Sequence, residues 1–171
     1  NSNDFAKFMR FNDFDNDGDL DMLVTGSENT TNSTALYVNQ FVETGALSFT
    51  NFTPQAGFGD IVDLEGSSDA EFGDINRDGY PDVIVSGRSS QFTRTSRIYI
   101  NEAGKGFTEL LGTNLPGLQN ASVKWADFNN DGFLDLIMIG RQPGGGLTQP
   151  TLVVKENFQG LFFFNDYQVI G

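Results

Sequence analysis

Hydrophobic and polar residues alternate along the chain in short runs that are bounded by Gly and Asn. The clearest runs are Thr34–Asn39, Ser96–Asn101 and Pro150–Lys155, each rich in β-branched or aromatic residues. A period of two is typical of a half-buried strand, because successive side chains of a strand point to opposite faces of its sheet. No segment sustains a period of 3.6 residues, so the sequence predicts many short strands and little or no helix.

One longer unit recurs three times. Its copies are Phe11–Gly26, Phe72–Gly87 and Trp125–Gly140, and each runs from an aromatic residue through closely spaced Asp residues into an apolar stretch. The copies begin 61 and then 53 residues apart, a period near that of kelch repeats. Because such units bury their apolar faces by stacking on one another, the repetition indicates one repeat architecture.

Further strand-like runs flank each copy. Those before the acidic residues are Phe5–Phe11, Asp69–Phe72 and Ala121–Trp125, and those after the alternating runs are Leu47–Phe52, Gly106–Leu110 and Gly160–Phe164. Each unit is thus four short strands, and repeated four-stranded antiparallel sheets are typical of propeller blades. We therefore predict an all-β fold in which residues 1–171 form one β-propeller segment of three four-stranded antiparallel blades. The predicted blades span about residues 4–53, 67–112 and 120–168, with loop-like connections at 53–67 and 111–120.

The acidic residues follow one pattern, Asp-x-(Asp/Asn)-x-Asp-Gly-x-x-Asp. Oxygens at positions 1, 3 and 5 converge when the chain curls around a cation, Gly at position 6 permits the turn, position 7 offers its carbonyl and the Asp at position 9 closes the shell. An all-oxygen shell selects Ca²⁺, so the sequence predicts three Ca²⁺ sites. The ligands are Asp13, Asp15, Asp17, Asp19 and Asp21; Asp74, Asn76, Asp78, Tyr80 and Asp82; and Asp127, Asn129, Asp131, Phe133 and Asp135, with Asp19, Tyr80 and Phe133 acting through backbone carbonyls.

These loops differ from EF-hand and dockerin loops, which require an acidic residue at position 12. That position holds Val24, Val85 and Met138, and a predicted strand follows each loop. The alternative of acidic turns without a metal is disfavoured by three copies in register and by a mutual repulsion of about 1 kcal/mol per carboxylate pair. The first loop has four liganding carboxylates, whereas Asn76 and Asn129 leave three in each of the others. Because ligand charge tunes affinity, we expect the first site to bind Ca²⁺ most tightly.

Composition narrows the function classes. The sequence has 23 Asp and Glu against 10 Lys and Arg, a formal net charge of −13, which opposes binding to nucleic acid or to anionic lipid. It has no Cys and no His, which excludes disulfides, thiolate metal sites, Cys nucleophiles and His acid–base catalysis. No apolar run approaches the roughly 20 residues of a spanning helix, so we expect no membrane insertion. Because the sequence begins at Asn1 without a signal peptide, we expect it to be a piece of a longer chain.

With these residues in view, the chain resembles the FG-GAP/VCBS repeat family of calcium-binding β-propellers, whose best-known relative is the integrin α-chain head. It is most similar to repeats of secreted and surface proteins of Bacteroidetes-type bacteria. Segments Ser122–Asp135 and Ile98–Thr108 carry the resemblance, the second through Tyr-x-Asn followed by Gly-x-Phe-Thr. The resemblance implies that each acidic loop joins the innermost strand of a blade to the second, with the ligands already named.

The number of blades departs from the family pattern. Such propellers close with about seven blades, and propellers in general need at least four. Three blades therefore belong to a larger propeller, or two chains pair into a six-bladed homodimer. Either arrangement predicts a large apolar blade face that other blades cover.

The leading functional hypothesis is a calcium-stabilised, non-catalytic binding, adhesion or scaffold module of a secreted or cell-surface protein. By the resemblance, a protein or glycan ligand would bind on variable loops, here Gly26–Ser33, Gly87–Thr95 and Gly140–Gln149. Four arginines near these loops could meet carboxylate or sulfate groups, although solubility and local pairing on an acidic surface explain them better. They are Arg88, Arg94, Arg97 and Arg141.

Two alternatives stay open. A carbohydrate-binding lectin would need an exposed aromatic platform, but Trp125 aligns with Phe11 and Phe72 on the inner strands and is interpreted as core, as are Tyr37 and Tyr99; Phe92 could contribute. A non-catalytic part of a polysaccharide-degrading enzyme is the other alternative. Acids outside the loops could form a catalytic carboxylate pair, but an acidic solvated segment explains them better, and we predict no enzyme activity. They are Asp60, Asp63, Glu65 and Asp69.

Overall fold

The computed structural model describes residues 8–28, 31–52, 61–62, 64, 68–89, 93–142, 151–157 and 164–167. Over these residues the chain forms three antiparallel sheets of four strands each. The first sheet contains β1 (Phe8–Asn12), β2 (Asp21–Glu28), β3 (Thr31–Asn39) and β4 (Phe49–Asn51). The second contains β5 (Asp69–Gly73), β6 (Asp82–Arg88), β7 (Arg94–Asn101) and β8 (Phe107–Glu109). The third contains β9 (Gln119–Ala126), β10 (Asp135–Arg141), β11 (Thr151–Asn157) and β12 (Phe164–Tyr167).

In each sheet the strands pair in the order in which they follow one another along the chain. The acidic loops lie between the first and second strands of each sheet, at residues 13–20, 74–81 and 127–134. The prediction of an all-β fold with three four-stranded antiparallel blades is confirmed, and we call the sheets blades 1, 2 and 3. Within the described ranges the three sheets are not closed into a ring. The same ranges contain a single helical turn, α1 (Phe41–Thr44), which follows β3 and agrees with the prediction of little helix.

Two hydrophobic cores join the blades. Blade 2 faces blade 1 with Val83 and Val85 and faces blade 3 with Ile84 and Ile98, because neighbouring residues of a strand point to opposite sides. All four side chains are fully buried. Burial of such a side chain contributes about 1.5–3 kcal/mol, so the stacking of blades, rather than any single sheet, supplies most of the hydrophobic stabilisation.

The third strand of blade 3 lies two residues later than the sequence pattern predicted. The run Pro150–Lys155 placed Lys155 level with Asn39 and Asn101, whereas the structure places Asn157 there. Leu136 is opposite Lys155, as Val83 is opposite Tyr99, so Lys155 occupies the tyrosine position. The prediction was wrong because a shift of two residues keeps every side chain on the same face of the sheet, so the apolar alternation alone does not distinguish the two registers.

The aromatic residues at the start of each repeat do not share one environment. Phe72 packs against the core between blades 1 and 2, and Trp125 packs against the core between blades 2 and 3. Phe11 is 54% exposed, so its interpretation as core was wrong: no sheet of the described residues covers that face of blade 1. At the other end, Phe128 and Ile139 of blade 3 are also exposed. Apolar side chains therefore remain uncovered at both ends of the stack.

Charged side chains connect the innermost strands. Arg10 of β1 pairs with Asp69 and with Glu71 of β5, and Lys124 of β9 pairs with the same Glu71. The Asp69 carboxylate also accepts the backbone amide of Val123, at 2.9 Å. The inner strands of blades 1, 2 and 3 thus present a cation, an anion and a cation at one level.

Candidate metal centre

The three acidic loops have the same backbone. The glycine at position 6 has φ of 100° at Gly18, 92° at Gly79 and 90° at Gly132, values that L side chains rarely adopt. Nothing lies within 4 Å of a Cβ built on Gly18 or Gly79, so the requirement for glycine there is conformational rather than steric. Position 4 also has positive φ, which the sequence pattern did not reveal. It is occupied by Asn16, Arg77 and Asn130, with φ between 60° and 64°.

The Asp at position 1 closes each turn. Asp13 accepts the backbone amides of Asp17 and Gly18, both at 3.0 Å, one on each carboxylate oxygen. Asp74 and Asp127 accept the corresponding pairs of amides at 2.9–3.1 Å. These bonds hold the carboxylates at position 1 inside the turn, where the sequence places a ligand.

Positions 5 and 7 are also linked. Asp17 Oδ1 accepts the amide of Asp19 at 3.0 Å, and the same bond recurs at 2.9 Å in each of the other loops. It joins Asp78 to Tyr80 and Asp131 to Phe133. One oxygen of each carboxylate at position 5 is thereby fixed toward the backbone amide at position 7. The role of the position 7 carbonyls as ligands stays a prediction.

The Asp at position 9 is fully buried in every loop. Asp21 accepts the amide of Phe14 at 2.7 Å and the amide of Asn39 at 2.8 Å, so it ties the acidic loop to the end of the third strand. Asp82 and Asp135 make the equivalent pairs of bonds. Burial raises the pKa of Asp21 to about 6 and that of Asp82 to about 7, and it raises the pKa of Asp135. This structural role adds to the ligand role that the sequence predicted.

The first loop fits a cation. Asp13, Asp15 and Asp21 each offer an oxygen, and these atoms lie within 4.8 Å of one another. Asp15 Oδ1, Asp17 Oδ2 and Asp19 Oδ1 are buried and have no hydrogen-bond partner. Burial, and then the charges of Asp17 and Asp13, raise the pKa of Asp15. Buried carboxylate oxygens without partners are energetically unfavourable, and a hard divalent cation would satisfy them.

The second and third loops satisfy their acids differently. The side-chain amide of Asn76 donates to Asp78 at 2.8 Å, and that of Asn129 donates to Asp131 at 3.0 Å. Asn129 also donates to Glu156 at 2.9 Å. Among the described residues, groups of three close acidic oxygens occur in and around the first loop alone. The asparagines at position 3 therefore hydrogen-bond the carboxylates at position 5, whereas in the first loop the oxygens Asp15 Oδ1 and Asp17 Oδ2 have no partner.

The sequence pattern missed two kinds of residue near the loops. Asn39, Asn101 and Asn157 bond to the loop Asp residues through their backbone amides, and the Tyr-x-Asn phrase signals two of them. Glu43 lies with Asp17 and Asp19 in a second acidic group. Nothing in its sequence position signals this contact, because α1 brings it to the loop from 22 residues beyond Asp21.

The predicted ligand-binding loops are shorter than expected. Most of Gly26–Ser33 is paired strand, and Gly87 and Arg88 pair with Thr95 and Arg94. Ser89 forms an isolated bridge with Leu64, and its backbone amide donates to Thr93 O at 2.8 Å. Residues 29–30, 90–92 and 143–149 of these loops, Phe92 among them, lie outside the described residues.

The four arginines near these loops do not form one cluster. Arg97 binds Glu109 at 2.8 Å, away from the loops. Arg94 donates through Nε to the side chain of Gln119 at 2.7 Å. Arg141 lies opposite Gln119 on the neighbouring strand, and Arg88 lies opposite Arg94 on its own neighbouring strand. Three of the four therefore lie near one end of blades 2 and 3.

The acids proposed as an alternative catalytic pair are accounted for in part. Asp60, Asp63 and Glu65 lie outside the described residues. Asp69 is nearly buried and bonded to Arg10 and to the amides of Ala70 and Val123. Its carboxylate is therefore a structural link between blades.

Comparison with known proteins agrees with the repeat. The model of the FG-GAP-like repeat family matches residues 13–85 and 74–138. Human T-cell immunomodulatory protein is 28% identical over 182 residues, an alignment that covers 90% of this chain and 29% of that protein. The solved structure of an Agrocybe aegerita lectin, described as recognising non-reducing terminal N-acetylglucosamine, has a TM-score of 0.55 and 18% identity, covering 94% of this chain and 38% of the lectin. In the part of this chain that the structure describes, no helix is long and apolar enough to cross a membrane.

Proposed function

The chain belongs to the FG-GAP-like repeat family, and we propose that it serves as a calcium-stabilised, non-catalytic binding or scaffold module of an exported or cell-surface protein. The observation that carries the calcium proposal is the set of buried, unpartnered carboxylate oxygens on Asp15, Asp17 and Asp19. Carboxylate, amide and carbonyl oxygens are the ligands that Ca²⁺ accepts in flexible shells of six to eight, whereas Mg²⁺ demands a tighter octahedron.

Calcium would act by bracing the blades. When bound, the ion supplies positive charge at a point where acidic side chains crowd together. The residues around it hold the architecture: Asp21 ties the first loop to β3, and Asp82 ties the second loop to β7. At ten times the dissociation constant, each occupied site adds about 1.4 kcal/mol to the free energy of unfolding. Three sites at Asp13–Asp21, Asp74–Asp82 and Asp127–Asp135 would supply a substantial part of the stability of a domain this size.

The module is proposed to work within a larger propeller. Exposed apolar side chains at both ends of the stack, Phe11 in blade 1 and Phe128 in blade 3, support further blades as its immediate partners. The chain spans 29% of T-cell immunomodulatory protein and 38% of the lectin, so the activity of either whole protein does not carry over to this chain. Export and adhesion are proposals that rest on the repeat family and on extracellular calcium as the ion source.

Glycan binding is the second candidate function. It is supported by the likeness of fold to the Agrocybe aegerita lectin and by Arg94 and Arg141 near one end of the blades. A glycan array probed with the calcium-loaded chain tests it, and an array without signal would dismiss it.

Thermal unfolding in 1–5 mM Ca²⁺ and in excess EDTA tests the calcium proposal. We expect chelation to lower the melting temperature by at least several degrees and Ca²⁺ to restore it, because ligand bound to the folded state stabilises it by mass action. Mg²⁺ at the same concentration is the control and should restore less. A melting temperature that is the same in Ca²⁺ and EDTA would refute the calcium-stabilised module.

A further inference from the structure

The helical turn α1 (Phe41–Thr44) lies against the first acidic loop. The backbone amide of Val42 donates to Asp19 Oδ2 at 3.0 Å. Asn39 Oδ1 accepts the amide of Phe41 at 3.2 Å, and the left-handed Gly45 ends the turn by donating to Phe41 O at 2.8 Å. No residue of α1 is buried, so hydrogen bonds rather than apolar packing hold the turn beside the loop.

This turn brings a sixth acid to the loop. Glu43, Asp17 and Asp19 each offer an oxygen, and these atoms lie within 4.8 Å of one another. Asp17 Oδ2 and Asp19 Oδ1 are buried and without a hydrogen-bond partner. Asp17 is also the residue at position 5 of the predicted calcium site. The Glu43 group therefore adjoins the metal centre rather than lying apart from it.

The second blade lacks this arrangement in the residues that the structure describes. Its corresponding connection is a short turn, in which the backbone amide of Glu102 donates to Gly106 O at 2.9 Å, and no helix forms there. Position 7 of its loop is Tyr80, where the first loop has Asp19. An acid at position 7 and a helical turn carrying Glu43 thus occur together in blade 1.

We propose that Glu43, together with the side chain of Asp19, ligates the calcium bound by the first acidic loop, and that α1 is the element that delivers it. The inference rests on the proposed calcium binding and deepens it. It assigns the first site a ligand from outside the repeat pattern. Binding of Ca²⁺ would then fix α1 against the loop, because the ion replaces the mutual repulsion of three carboxylates with attraction to all of them.

The test compares Glu43→Gln with Glu102→Gln in the full 171-residue chain, since both acids are exposed and in connections that follow the third strand. Calcium titration by calorimetry is the measurement. We expect Glu43→Gln to weaken the tightest site at least fivefold and to leave the weaker sites unchanged, and Glu102→Gln to match the parent chain. Equal affinities in Glu43→Gln and the parent chain would overturn the assignment of Glu43.

A second readout does not depend on affinity. Hydrogen exchange of residues 41–46 should slow on addition of Ca²⁺ in the parent chain and in Glu43→Asp, and should not slow in Glu43→Gln. Equal slowing in Glu43→Gln would also overturn the proposal. If the parent chain binds no Ca²⁺ at all, the proposed function fails as a whole, whereas calcium binding that is indifferent to Glu43 leaves the proposed function intact.

Discussion

The side-chain amide of Asn101, at the end of β7, donates to the backbone carbonyl of Phe14 in the acidic loop of the preceding blade, at 2.9 Å. Asn157 repeats this bond to Ile75 of blade 2 at 2.9 Å. Each of these asparagines thus makes two bonds. Its backbone amide donates to the buried Asp of its own blade, and its side-chain amide donates to the acidic loop of the preceding blade. The first and second candidate calcium loops are therefore part of the interfaces between blades.

Replacement of Asn101 by Ala should destabilise the chain by about 2–3 kcal/mol. Asn101 is 2% exposed, and its loss leaves the carbonyls of Phe14 and Pro81 without this donor. Urea unfolding monitored by tryptophan fluorescence measures the effect. Thr108→Ala, at an exposed position of β8, is the control and should change the free energy of unfolding by less than about 0.5 kcal/mol. Equal stability of the two variants would contradict the role of Asn101.

Much of this arrangement is visible in the sequence, and the rest depends on tertiary contacts. The loops are predictable because each repeats the same liganding residue types and a glycine that the turn requires at Gly18 and its equivalents. The position of Asn157 is not predictable from the sequence, because Lys155 occupies the position that Tyr37 and Tyr99 occupy in the other two blades. Glu43 is invisible for a different reason: its contact with Asp17 depends on the path of the chain after β3.

An exchange at position 3 should change the relative affinities of the sites. Asp15→Asn gives position 3 of the first loop the asparagine that the other two loops have, and the new amide can donate to Asp17 as Asn76 donates to Asp78. We expect Ca²⁺ affinity at the first site to fall roughly tenfold, because a charged ligand is lost. The reciprocal Asn76→Asp should raise the affinity of the second site. Calorimetric titrations check both, and unchanged affinities would show that the charge at position 3 does not set the order.

Gly104 should affect the first calcium loop although it belongs to blade 2. A Cβ built on Gly104 lies 2.7 Å from Cβ of Asp15, and its φ is 74°. Gly112 has φ of 79° with nothing within 4 Å of its Cβ, so Gly112→Ala reproduces the backbone strain without the clash. We expect Gly104→Ala to be the less stable variant by about 1–3 kcal/mol and to bind Ca²⁺ more weakly at the first site. If both alanine variants behave alike in unfolding and in calcium titration, the contact with Asp15 is unimportant.

The inner-strand charges disfavour ring closure by a second copy of this chain. Arg10 faces two carboxylates on the next inner strand, Asp69 and Glu71. In a six-bladed homodimer, the strand after Lys124 would be β1 of the other copy, which offers Arg10 at the level of Glu71. A blade with an acidic residue at the Glu71 level is the better partner, because it would continue the alternation of charge.

Light scattering in Ca²⁺ at low ionic strength distinguishes the two partners. We expect the single-chain mass of 18.7 kDa, because closure by a second copy brings Lys124 and Arg10 together. Lys124→Gln removes that repulsion and should increase self-association, whereas Lys105→Gln, at an exposed turn of blade 2, should not. Added salt should likewise favour association of the parent chain by screening the like charges. A mass of twice the single-chain value at low salt, unchanged by Lys124→Gln, would instead establish the homodimeric ring and show that burial of the apolar end faces outweighs the charge repulsion.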